Sequence, residues 1–417
     1  MDNNNKSDNV VQNNLESIIV TNDGNNNIVT HKKNKIKKMK YGFIVRKFRC
    51  LRAEDDVVKE TDAAGNFDVE AAGGGKDHAP SHLIIMVNGI IGSAENWKYA
   101  AKQFAKAYPD DVLVHCSDAN SNMLTFDGVD VMGNRLANEV LSVVQRHPNL
   151  EKISIIGHSL GGVVARYAIA RLYEEEKSKQ VSQNGPCKVD GSDPSCLKEE
   201  PMRKIAGLEP VSFITSATPH LGSSGHKQVP MFCGLYTLEK VASGTSALLG
   251  RTGKHLFLTD SDDGKPPLLL RMANDTEDLK FISALRSFKR RVAYANARFD
   301  NLVGWSTSSL RRRSELPKLR NLSRNNKYPH IVNIETAEAS TTQNDFSTND
   351  KLNQRKRAEM EEAMIRGLTR LSWERIDVSF KGSKQRYLAH STIQVKTKWL
   401  NSDGSDVIQH MVDSFLL

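Results

Sequence analysis

The chain lacks any run of about 18 apolar residues, the length a membrane-crossing helix requires. A secretory leader is not expected either, because Met1 to Asn14 is Asn-rich and polar with no apolar core. Asp2, Asp8 and Glu16 also set this segment apart from acid-poor transit peptides. Cysteine is scarce: Cys50, Cys116, Cys187, Cys196 and Cys233 are odd in number, and no pair has the spacing of a zinc knuckle. Cys187 and Cys196 share a polar loop and could pair under oxidation, but reduced thiols are the simpler expectation. No motif for stacking on bases or reading a nucleic-acid groove occurs, so specific nucleic-acid binding is not expected. What remains is an ordinary mixture for a soluble, cytoplasmic protein. Its 417 residues are 39% hydrophobic and 26% charged, enough to bury a sizeable core.

The net charge of +9 is unevenly spread. One basic run extends from Lys32 to Lys40 and continues through Arg46, Lys47, Arg49 and Arg52. Others are Arg286 with Lys289, Arg290 and Arg291, and the triplet Arg311-Arg312-Arg313. Such runs are usually solvated faces or tails, and they can also attract a chain weakly to an anionic membrane surface. Residues 1–40 are low-complexity and polar, as in a disordered tail. Residues 41–81 read as a weakly structured lead-in, with a short strand at Tyr41 to Val45 as one option and a flexible linker at Ala71 to Gly75.

From residue 82 the pattern changes. Leu83 to Val87 is a continuous apolar run ending at Asn88-Gly89, which suits a buried parallel strand. Trp97, Ala100, Ala101, Phe104 and Ala105 then recur at helical spacing. Val112 to Cys116 predicts a second strand, Leu136 to Val144 a second helix closed by Pro148, and Ile153 to Ile156 a third strand. Strand–helix alternation of this kind predicts an α/β fold with a mostly parallel, doubly wound sheet.

The third strand runs directly into Gly157-His158-Ser159-Leu160-Gly161-Gly162, and a helical stretch, Val163 to Ala170, follows at once. Gly-x-Ser-x-Gly at a strand-to-helix turn is a nucleophile elbow. Gly157 and Gly161 remove side chains that would clash in so tight a turn, and Ser159 is then presented above the carboxyl edge of the sheet. A serine needs a base, and the base needs an acid to orient it. The expected chain order is serine, then acid, then histidine. From spacing alone Asp300 competes with Asp275 and Asp278 as the acid, and His390 competes with His330 and His410 as the base. Asp300 follows the strand-like Arg291 to Asn296, and His390 follows the alternating Ile376 to Phe380. The oxyanion of the tetrahedral intermediate needs donors. The backbone N–H of Leu160 is one candidate, and the N–H of Gly89 or Ile90 is the other.

Six blocks in order resemble the serine-esterase, lipase-like branch of the eukaryotic α/β-hydrolases, in particular its plant members. They are LIIMVNGIIGSAENW at residues 83–97, LTFDGVDVMGNRL at 124–136, ISIIGHSLGGVVARY at 153–167, FITSATPHLG at 213–222, YANARFDNLVGWSTSS at 294–309 and AHSTIQVKTKWL at 389–400. The resemblance implies an α/β-hydrolase fold, a triad of Ser159, Asp300 and His390, and cleavage of lipid or other apolar acyl esters with no metal or organic cofactor. Two features depart from the pattern. Asn88-Gly89 stands where many lipases have His-Gly, and the first sheet strands of larger hydrolases are not visible before residue 82. Insertions are expected at about 174–204, at 223–285 and at 335–372. The second contains Met231, Phe232, Leu235, Leu248, Leu249 and Leu268 to Leu270, and either caps an acyl pocket or packs on the core. The third, with a charged helix from Lys351 to Leu371, reads as a solvent-exposed excursion. The same site could cleave thioesters or transfer an acyl group, and a hydrolase shape without turnover, binding lipid or protein, is the rival from another class.

Overall fold

A computed structural model describes residues 60–61, 67–69, 79–175, 203–223, 249–261, 264–337 and 352–417. The polar tail at 1–40, the strand option at Tyr41 to Val45 and the linker at Ala71 to Gly75 lie outside the described residues.

The elements in chain order begin with β1 (Glu60–Thr61), β2 (Phe67–Val69), β3 (His82–Val87), α1 (Lys98–Ala107), β4 (Val112–Cys116) and α2 (Val129–Arg146). They continue with β5 (Lys152–His158), α3 (Leu160–Leu172), β6 (Tyr173–Glu175), β7 (Arg203–Ile205) and β8 (Glu209–Ser216). Next come α4 (Gly250–Phe257), α5 (Leu268–Arg271), α6 (Phe281–Ser287), β9 (Arg290–Asn296), α7 (Trp305–Ser309) and β10 (Ile331–Ala337). The chain closes with α8 (Leu352–Leu368), β11 (Trp373–Val378), α9 (Ala389–Thr392), α10 (Lys398–Asn401) and α11 (Ser405–Asp413).

Among the described residues, nine strands form one sheet in the order β1-β2-β4-β3-β5-β8-β9-β11-β10. The six from β4 to β11 are mutually parallel, and β2 and β10 pair antiparallel at the two sides. Parallel strands are covered on both faces, so their sequences read as continuous apolar runs. β3 illustrates this. Leu83, Ile85 and Val87 join one core with side chains of α2, α3 and α6, while Ile84 and Met86 join a second with α1 and α11. This arrangement is an α/β-hydrolase fold: helices cover both faces, and every loop leaving a parallel strand emerges at one sheet edge.

The structure adds to and corrects the sequence reading. β1 and β2 extend the sheet within the stretch read as a lead-in, their short lengths giving too little periodicity to register. β8, a central strand, enters the sequence reading only within a family block; all but its first residue are buried, but Pro210, Ser212, Thr215 and Ser216 interrupt its apolar run. The insertion near 174–204 starts and ends as the antiparallel pair β6–β7. In the second insertion, Leu256, Leu258, Leu268 and Leu269 enter the same core as α2 and α3, whereas Met231, Phe232, Leu235 and Leu248 lie outside the described residues. The third insertion is not the solvent-exposed excursion expected. Met364, Ile365 and Leu368 of α8 are buried, and a Cβ on Gly367 would come within 2.1 Å of the Ala273 carbonyl oxygen. Arg357 of α8 donates to the carbonyls of Phe257 and Ser223, and Glu362 takes a two-pronged ion pair from Arg312. Lys356, Glu359 and Arg366 of α8 are exposed, and Met364, Ile365 and Leu368 form a narrow apolar stripe that is buried.

Candidate active site

β5 delivers the chain to Ser159 at the centre of the sheet's carboxyl edge. Ser159 has φ 54° and ψ −128°, a backbone conformation that costs a non-glycine residue on the order of 1–3 kcal/mol. Its surroundings hold it there. Its N–H donates to the Ser216 carbonyl at 2.8 Å. A Cβ on Gly157 would lie 2.6 Å from the Gly162 Cα, and one on Gly161 would lie 2.3 Å from the Val87 carbonyl oxygen. Both glycines therefore permit backbone-to-backbone contact that no side chain would tolerate. Gly162 meets a similar limit against Thr218 Oγ1, at 2.2 Å.

The loop after β11 carries His390 at the start of α9. Its Nε2 lies 2.9 Å from Ser159 Oγ and its Nδ1 lies 3.0 Å from Asp300 Oδ2. In a neutral imidazole protonated at Nδ1, Nδ1–H donates to the carboxylate and Nε2 is free to accept the serine proton. Asp300, on the loop after β9, is held on several sides. Asn296 Nδ2 donates to Oδ2 at 2.9 Å, and the backbone N–H groups of Leu302 and Val303 donate to Oδ1 at 3.0 and 2.9 Å. Burial pushes this carboxyl's pKa up, but His390, Asn296 and the Val303 N–H outweigh it and hold it below its ordinary value. The carboxylate is therefore kept charged where it faces the imidazole.

The rival residues are engaged elsewhere. Asp275 accepts from the N–H groups of Ile282 and Ser283 and caps α6. His330 pairs with Asp406 at 2.9 Å, and His410 bonds the Tyr294 hydroxyl at 2.8 Å. Asp278 sits in the loop before α6 and makes no hydrogen bond to Ser159 or His390 among the described residues.

The expected oxyanion donors border the serine. The N–H of Leu160 opens α3 and meets no acceptor among the described residues, as befits a first-turn donor. A Cβ on Gly89 would approach Ser159 Cβ to 2.8 Å, so only glycine lets this loop pass so near the nucleophile. Asn88, the departure from the lipase pattern, donates through Nδ2 to the carbonyls of Gly89 and Asn120 at 3.1 and 3.0 Å. The loop is further fixed by Ile91 N–H to Thr125 Oγ1 and by Asn122 N–H to the Gly92 carbonyl. The N–H groups of Gly89 and Ile90 find no acceptor among the described residues.

Besides the groups that hold Asp300, sequence reasoning missed His158. His158 Nε2–H donates to the carbonyl of His390 at 2.7 Å, and the two rings stand 4.7 Å apart. Burial, followed by the neighbouring His390, pushes His158 well below its ordinary pKa, so it stays neutral. The residue was in plain view within the elbow, but a histidine beside the nucleophile carries no periodic or spacing signal of its own.

Fold and site together define an α/β-hydrolase with a serine, a histidine and an aspartate in one hydrogen-bonded chain. Residues 77–310 match the family described as "Putative serine esterase (DUF676)", more than half the chain, and the protein belongs to that family. His390 lies beyond the matched span. Among curated proteins the chain is 30% identical over 260 residues to "Putative lipase ROG1" of Saccharomyces cerevisiae, an alignment covering 60% of this chain and 32% of that one. It is 29% identical over 234 residues to "Putative lipase YDL109C" of the same yeast, covering 55% and 30%. It is 27% identical over 241 residues to "Putative lipase C4A8.10" of Schizosaccharomyces pombe, covering 55% and 26%. The chain thus spans about a third or less of the length of these relatives.

Proposed function

We propose that this chain hydrolyses carboxylic esters with apolar acyl groups, lipids among them, through an acyl-enzyme on Ser159. The observation that carries the reading is the unbroken chain from Ser159 Oγ through the His390 imidazole to the Asp300 carboxylate. Ser159 Oγ attacks the ester carbonyl carbon as its proton passes to His390 Nε2. Asp300 holds the ring in position and stabilises its cationic form. The N–H of Leu160, with that of Gly89 or Ile90, receives the oxyanion at the end of the α3 dipole. The carbon–oxygen bond to the alcohol then breaks, and His390 returns its proton to that leaving oxygen. Water, deprotonated by His390, attacks the acyl-enzyme, and Ser159 recovers its proton as the acid departs. Every proton and charge in this sequence is handled by side chains and backbone groups of this chain.

Hydrolysis rates on a series of alkanoyl esters and matched thioesters, with the Asp300→Asn variant in parallel, test the assignment. The expected result is faster turnover of esters than thioesters and a loss of about 10⁴-fold in kcat for the variant, because an asparagine favours the wrong imidazole tautomer. Faster thioester cleavage would move the substrate class to acyl-thioesters. No turnover by the folded parent, with lipid binding that survives Ser159→Ala, would make the protein a binding module.

A further inference from the structure

The parallel strands fix which loops share the sheet edge with Ser159, and that edge is unusually apolar. Among the described residues, twelve large apolar side chains are exposed, and seven follow the carboxyl ends of just three strands, β3, β4 and β11. Ile91 belongs to the loop after β3. Met123, 72% exposed, and Leu124 belong to the loop after β4, and the two loops are tied by the Asn88, Ile91 and Asn122 hydrogen bonds. On the other side of β5, the segment after β11 exposes Tyr387 and Leu388 before the base, then Trp399 and Leu400 after it. Trp399 is 78% exposed. The turns next to these two pairs are tied together: Ser383 bonds Asp403, and Gln385 bonds Ser402 at 3.0 Å. Since β4 and β3 lie to one side of β5 and β11 to the other, the apolar side chains flank the nucleophile from both directions.

The charge on the β11 side is mainly positive, with Asp403 held against Ser383. From Lys381 to Leu400 the chain contains five cations and no carboxylate. Lys381, Lys384 and Lys398 are exposed and have no ion-pair partner among the described residues, and the Arg386 guanidinium lies over the Tyr387 ring at 4.7 Å. Exposed tryptophan and tyrosine interleaved with lysine is the chemistry of a bilayer interface. The rings enter the headgroup zone and the ammonium groups meet lipid phosphates or carboxylates. A patch of this kind on a water-facing surface marks an interaction site.

We infer that the rim formed by Tyr387, Leu388, Trp399 and Leu400, with Lys381, Lys384 and Lys398 beside them, docks this protein onto an anionic phospholipid surface. Docking there sets the Ser159 edge toward the membrane. The inference rests on the ester-hydrolase reading only for its purpose, because docking is measured without turnover.

The test is co-sedimentation of the full chain carrying Ser159→Ala with vesicles of phosphatidylcholine alone or of phosphatidylcholine with phosphatidylserine. The protein is expected to pellet with the serine-lipid vesicles and to be released as ionic strength rises. Each of Lys381→Glu, Lys384→Glu and Lys398→Glu is expected to weaken partitioning at least about fivefold. The double variant Trp399→Glu, Leu400→Glu should weaken it at least about tenfold while melting within a few degrees of the parent. Three results would overturn the inference: binding unchanged by all these substitutions, which would assign it to the basic residues at 32–52; no binding to either vesicle; or pelleting without vesicles, which would indicate self-association. Failure of Ser159 to act as a nucleophile would leave the sedimentation result standing, so the two readings fail separately.

Discussion

Ser159 is kept in a strained backbone conformation because the groups around it leave no relaxed alternative. The same economy places His158, whose ring fills the space between the nucleophile, the base and the Gly89 loop. Its Nε2–H fixes the carbonyl of His390, and a carbonyl fixed at one end restrains the ring attached to the same Cα. Replacing His158 with leucine should fill the volume but remove that donor. kcat toward an ester substrate is expected to fall roughly 10- to 100-fold with KM nearly unchanged, as when a catalytic group is misplaced by about an ångström. His158→Gln, whose Nε2 can reach the same carbonyl, should recover most of the loss. Equal kcat in the leucine variant and the parent, or equal losses in both variants, would show that the donor has no part in positioning the base. At this scale Ser159 was legible because glycine spacing around a nucleophile is a steric requirement written in sequence. His158, Asn296 and the Leu302–Val303 backbone were not, since their contributions exist only once the chain brings distant loops together.

Among the elements, the parallel strands are legible where their apolar runs are unbroken, and β8, the longest of them at 8 residues, is not, because polar residues dilute its run. β8 contains Pro210, Ser212, Thr215 and Ser216, all buried by its central place in the sheet. α8 was read correctly as a helix and wrongly as solvent-exposed, because its charges outnumber the Met364, Ile365 and Leu368 stripe that decides its place. The β3–β5 pairing makes a pH prediction. His82 of β3 is 1% exposed and bonds Ser154 Oγ of β5 at 2.8 Å. Burial first, and then Lys152, push its pKa down to about 4. The unfolded chain binds a proton at His82 near pH 6.5 and the folded one does not, so its contribution is fully present above pH 6.5 and is lost as pH falls toward 4. The loss is about 1.4 kcal/mol per pH unit, roughly 3 kcal/mol in all. Melting temperatures measured between pH 7 and 4 should fall steeply in the parent and less steeply in His82→Phe. Parallel slopes would show that His82 does not bear this linkage.

For the molecule as a whole, the order of strands accounts for why three widely separated residues meet. Ser159, Asp300 and His390 follow β5, β9 and β11, which run in one direction and open at one edge. Alternation of strand and helix made that edge foreseeable, and the six family blocks narrowed the acid and the base to Asp300 and His390. What the sequence could not convey was the surface: exposed apolar side chains as far apart in the chain as Leu124 and Tyr387, or Ile91 and Leu400, have no common periodicity until the sheet aligns them. The central claim is that Ser159 is an activated nucleophile with His390 as its base. Fluorophosphonate labelling, read by intact mass on the parent, Ser159→Ala and His390→Ala, tests it most directly. A single adduct on the parent at Ser159, absent from the serine variant and slowed at least about 10³-fold in the histidine variant, is the predicted result. A folded parent that takes no adduct, with or without added lipid or detergent, or one labelled equally well without His390, would contradict it.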